Sequence, residues 1–79
     1  MTHIQLIWDF RGGNSKGTAQ HHVVHLKEFM TREGIEHHGT GIQEHSELWC
    51  SAWLNVNEAD MLTVRDALKP HRGLKVEAD

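Results

Sequence analysis

The chain has one cysteine, Cys50, so no disulfide can form within it. It has one proline, Pro70, which falls where a helical pattern stops. No stretch approaches the roughly 20 apolar residues of a membrane span. The opening Met1-Thr2-His3-Ile4 lacks the basic and apolar regions of a secretory leader, so a cytoplasmic location with no membrane partner is expected. Cations are the minority: 8 Lys and Arg face 11 Asp and Glu, for a net charge of −3. Without clustered basic residues, nucleic acid is not expected as a partner. No complete catalytic or metal signature is present. Gly12 and Gly17 have the spacing of a phosphate-binding Walker A loop, but Thr18 stands where its lysine belongs. Cys50 falls among apolar positions, where a thiol is inert.

What remains is ordinary folding material: 79 residues, 38% hydrophobic and 24% charged, read as a single domain over 1–79. A chain this short buries only about 60–65% of its unfolded surface, so its core is thin and self-association is a common supplement.

Residues 3–11 alternate as a strand, with Ile4, Leu6, Trp8 and Phe10 on one side and Ile7 the lone apolar residue on the other. Gly12–Gly17 reads as a loop. A helix over 18–33 follows, capped by Thr18 or Ser15, with Ala19, His22, Val23, Leu26, Phe29 and Met30 at core spacing. Gly34 fits its left-handed end, with Ile35 behind. Residues 35–44 and 47–56 predict a hairpin around His45-Ser46, in which Leu48, Cys50, Ala52, Leu54 and Val56 share one side. In that register Ile42 faces Trp49 and His38 faces Trp53; a one-residue slip would bury Glu36 and Glu44, which is costly. Gly39 and Gly41 point to a bulge or a close helix approach. Asn57 caps a second helix over 58–68, with Met61, Val64 and Leu68 buried. A last strand over 73–78 aligns Leu74, Val76 and Ala78.

The order β-α-β-β-α-β predicts an α+β, ferredoxin-like fold: a four-stranded antiparallel sheet of order 4-1-3-2 with two helices on one face. The other face stays open. Ile7, His38, Ile42, Trp49 and Trp53 are expected on it, as a dimer interface or ligand-binding surface. Each tryptophan buries on the order of 150–250 Å² when covered. At about 25 cal/mol per Å², covering both contributes several kcal/mol. The chain itself, as a homodimer through this face, is the expected partner, with a small apolar ligand possible between the copies. Residues 47–54 superficially resemble an RNA-recognition strand but lack its leading basic residue and its glycines.

In element order, and in the helix-to-strand turn Leu68-Lys69-Pro70-His71-Arg72-Gly73, the chain resembles the dimeric α+β barrel superfamily. That resemblance implies ferredoxin-like protomers paired through open sheets. It also admits a cofactor-independent monooxygenase or isomerase, with His38 as acid/base beside Trp49 and Trp53.

Eight histidines are a high count for this length. His21 and His25 stand one helical turn apart, a half-site for a divalent transition metal, although no cofactor is required by the pattern. Histidines at an interface would also make assembly pH-sensitive. Arg11 and Lys16 flank the glycine loop at a helix start and are candidates for anion binding.

Overall fold

In the computed structural model, residues 2–77 are described; Met1 and Ala78, both used in the sequence expectations, lie outside them. The elements are β1 (Thr2–Arg11), α1 (Ser15–Glu33), β2 (His37–Ser46), β3 (Trp49–Asn57), a 3-10 turn (Glu58–Asp60), α2 (Met61–Leu68) and β4 (Arg72–Glu77). The protein is α+β. Its antiparallel sheet runs β2-β3-β1-β4, which is the expected order read from the other edge. No helix among the described residues is long and apolar enough to cross a membrane.

The central pair β1 and β3 sets the layers. Ile4, Leu6, Trp8 and Phe10 lie opposite Val56, Leu54, Ala52 and Cys50. These residues join Ala19, Leu26, Phe29 and Met30 of α1 and Val64 of α2 in one cluster. Both helices therefore cover the even-numbered side of these strands. Trp8 is buried there and donates its indole N–H to the Leu68 carbonyl at 2.8 Å, satisfying an orphan acceptor at the end of α2.

α1 begins three residues earlier than the periodicity implies. Asn14, not Ser15 or Thr18, is the N-cap residue, and no side chain bonds to the helix start. Gly34 takes the left-handed conformation (φ 66°), and the Ile35 N–H bonds to the Met30 carbonyl, as the Gly-Ile pair predicts. α2 is shorter than expected and is preceded by the 3-10 turn. Asn57 caps that turn by position only, because its side chain is used elsewhere. Lys69 ends α2 at φ 47°, a left-handed position held by a residue with a Cβ.

The hairpin departs most from expectation. Its turn is Glu47-Leu48, two residues later than His45-Ser46, so Leu48 is 62% exposed rather than core-facing. The register is shifted: Trp53 lies opposite Gly41, not His38, and Trp49 opposite Ser46, not Ile42. A bulge between His37 and Thr40 inserts an extra residue and reverses the alternation of β2 beyond it. Ile42, expected on the open face, therefore lies opposite Ala52 and packs against the core. The penalty feared for Glu44 does not arise, since it sits near an exposed edge and pairs with Lys16 at 3.0 Å. Glu36 precedes the strand and is exposed.

Candidate functional site

The side of the sheet away from the helices carries His3, Gln5, Ile7, Asp9 and Arg11 from β1, alternating with the core residues. Across from them on β3 stand Asn57, Asn55, Trp53, Ser51 and Trp49. Two clusters form on this face, one toward each end.

The first cluster centres on Asp9. Ser51 donates its hydroxyl to Asp9 Oδ1 at 2.6 Å, and the Trp49 indole N–H reaches the same oxygen at 3.2 Å. Arg72 grips the carboxylate with both ends of its guanidinium, Nε to Oδ2 at 2.9 Å and Nη2 to Oδ1 at 3.1 Å. Burial alone would raise the Asp9 pKa. The bonds from Ser51, Arg72 and Trp49, with the Arg72 charge, outweigh it and bring the carboxyl down to about 2. His45 stacks on Trp49 with ring centroids 3.9 Å apart, and the Arg11 guanidinium lies 4.1 Å from the Trp49 ring centroid. The Asp9 backbone N–H donates to His71 Nδ1 at 2.8 Å.

Ser51, His45 and Asp9 do not form a nucleophilic triad. The Ser51 proton is given to Asp9, so His45 Nε2, 2.8 Å away, must donate to Ser51 Oγ rather than take its proton. Ser51 is also 3% exposed. The arrangement fixes a charge and two rings in place.

The second cluster joins His3 and His38, whose rings stack at 3.9 Å and 9°. His38 Nε2 donates to Asn57 Oδ1 at 2.6 Å. Burial, then the His38 and N-terminal charges, lowers the His3 pKa, which favours a neutral ring. His3 Nε2 and Asn55 Oδ1 are buried on this face without a partner among the described residues.

Between the clusters lies Trp53. Its ring rests on the backbone of β2 where Gly39 and Gly41 leave room: a Cβ on Gly41 would stand 3.0 Å from Trp53 Cζ2. The close approach foreseen at these glycines is thus made by an indole rather than a helix. Gly39, at φ 119°, also supplies the bulge.

Ile7, Trp49, Trp53 and His38 share the open face, and Ile42 does not. His38 and Trp49 belong to opposite ends: Asn57, which His38 touches, is eight residues along β3 from Trp49, about 26 Å. The pairing of His38 with both tryptophans as one acid/base site is therefore not assembled. Arg11 and Lys16 are not brought together around the glycine loop either. Arg11 lies over Trp49, and Lys16 pairs with Glu44. The loop amide of Gly12 is occupied by the Leu48 carbonyl at 2.8 Å.

On the outer side of α1, His21 and His25 place their Nε2 atoms 2.8 Å apart, with Glu28 Oε1 4.0 Å from His25 Nδ1. No group of three or more potential ligands forms among the described residues. His22 sits at the core edge against Trp8 and Phe10. Its Nε2 is buried without a partner among the described residues. Burial, with the neighbouring His25, His71 and His21, lowers its pKa. Cys50 is buried, which raises its thiol pKa and suits an inert core residue.

Sequence reading missed Asp9, Ser51, His45 and Arg72 as a unit. The signal was the same alternation that placed the tryptophans: Asp9 and Ser51 share the parity of Ile7 and Trp49 on the two central strands. Compared with protein-family models, curated proteins and solved structures, the chain matches none.

Proposed function

We propose that the protein is a binding module of ferredoxin-like, dimeric α+β barrel type, in which two copies meet through the sheet faces their helices leave uncovered. The supporting observation is apolar surface on that face: Leu74 and Val76 of β4 are 49% and 39% exposed. They lie beside Gln5 and His3, on the same side as the part-exposed Trp49 and Trp53. In this reading a small ligand can be held between the two copies. Any such ligand would meet the Asp9 cluster as well as indoles, so it carries polar groups and is not a plain hydrocarbon.

The gain from association is smaller than two bare indoles would give. Trp49 and Trp53 are already partly covered within their own chain by His45, Arg11 and the backbone of Gly39 and Gly41. A dissociation constant of about micromolar size is expected. Sedimentation equilibrium tests this: the wild-type chain should be dimeric, and Leu74→Lys with Val76→Glu, both at exposed positions, should be a folded monomer. A wild-type chain that stays monomeric at about 0.5 mM, hundreds of times the expected constant, sinks the reading.

A second reading rests on the imidazole pair of α1. His21 and His25 converge at their Nε2 atoms, and Glu28 stands toward His25 Nδ1, as a carboxylate does behind a metal-bound histidine. They would chelate Zn²⁺ or Ni²⁺ as two ligands, with water or another copy completing the shell. Calorimetric titration with Ni²⁺ should give one site per chain that His25→Ala abolishes; the same heat from both proteins refutes it.

A further inference from the structure

The helix-covered side of the sheet has a gap. α2 is eight residues long, about 12 Å, and does not extend over all of β1 and β4. β4 also carries Gly73 opposite Leu6, where any side chain would lie on Leu6 and Ile4: a Cβ there would stand 3.6 Å from Leu6 Cδ2 and 3.8 Å from Ile4 Cγ2. The result is a hollow of about 380 Å³ on the far side of the sheet from Trp49 and Trp53, within the usual range for small-molecule sites.

Its chemistry is two-part. Ile4, Leu6 and Met61 make an apolar floor. Arg65 and Lys75 stand at the rim, and no Asp or Glu among the described residues lines the hollow, although acids outnumber bases in the chain. Arg72 forms part of the wall, but its guanidinium is taken by Asp9 on the other face. Arg65 reaches its exposed neighbour Asp66 through Nε and Nη2, both at 3.4 Å, a pair too solvated to hold it. Lys75 has no ion pair among the described residues.

We propose that this hollow binds a small organic carboxylate with a compact apolar body. The body would rest on Ile4, Leu6 and Met61. The carboxylate would lie between the planar donors of Arg65 and the Lys75 ammonium. This is independent of dimerisation, because the hollow and the open face lie on opposite sides of β1.

The probe is octanoate, titrated into the ¹⁵N-labelled full chain and followed by amide shifts. Saturable shifts should gather at residues 61–65 and 73–75 and spare Ser51 and Trp53. Octan-1-ol, which lacks the charge, should bind at least about tenfold more weakly. Arg65→Gln with Lys75→Gln should cost octanoate about tenfold or more and leave octanol unchanged. Gly73→Leu should fill the floor and abolish binding of both. All three positions are exposed, and well-dispersed spectra would verify that the variants fold. No saturable shift up to about 10 mM octanoate, equal binding of octanol, or shifts centred on the open face would each overturn the proposal.

Discussion

The two faces of the sheet alternate residue by residue along β1 and β3, yet they are closed in different ways. On the helix side Cys50, Ala52, Leu54 and Val56 are fully buried under α1 and α2, and closure is apolar packing between layers. On the other side no helix lies above, yet Ile7 is only 6% exposed. There the cover is made of side chains from the sheet itself: an indole folded onto two glycines, a second indole carrying an imidazole and a guanidinium, and a carboxylate tied to three donors. A sheet face without a second layer can thus shelter its centre when its large residues lie flat and its charge is paired. The large apolar side chains left exposed on this side are then Leu74 and Val76, on the edge strand β4.

This contrast can be broken at several points. Leu54→Ala, in the helix-side core, should cost about 3–4 kcal/mol in urea unfolding, because the layers around it cannot collapse. Ile7→Ala should cost less, about 2 kcal/mol, since its cover is movable side chains. Asp9→Ala should cost about 2–3 kcal/mol by stranding Arg72, Ser51 and the Trp49 N–H. The same group gives a pH signature. Its pKa in the fold is about 2, below the ordinary 3.8, so its contribution is complete above pH 3.8 and is lost as pH falls toward 2. Acid unfolding of Asp9→Asn should lack that part of the slope. Gly41→Ala should displace the Trp53 ring, shift its fluorescence and cost about 1 kcal/mol, with the helix side undisturbed. The smallest effect is a gain: Lys69→Gly relieves the left-handed residue after α2 and should add about 0.5–1 kcal/mol.

The architecture was legible because β1 and β3 alternate cleanly and both helices carry a core-spaced stripe. Parity alone placed Ile7, Trp49 and Trp53 correctly. What failed was β2. It is an edge strand with no strong alternation; its two glycines pointed to a bulge or a close helix approach without deciding between them, and one inserted residue sent Ile42 to the opposite side. The site was read as apolar because the indoles were conspicuous. The polar hub was written in the same alternation but divided among Asp9, Ser51 and Arg72, the last two lying 42 and 63 residues beyond Asp9 along the chain. Local spacing cannot reveal such a group; only strand register does. The cation-rimmed hollow depended on where a short helix ends, which periodicity fixes poorly.

The Trp8 indole bond to Leu68 has a consequence for motion. An eight-residue helix has no lasting existence in isolation, so α2 persists only while its last turn stays pegged to the sheet's middle. Its amides should therefore exchange with deuterium in step with those of β1, as one cooperative unit, while the glycine-bearing edge at β2 opens earlier and by itself.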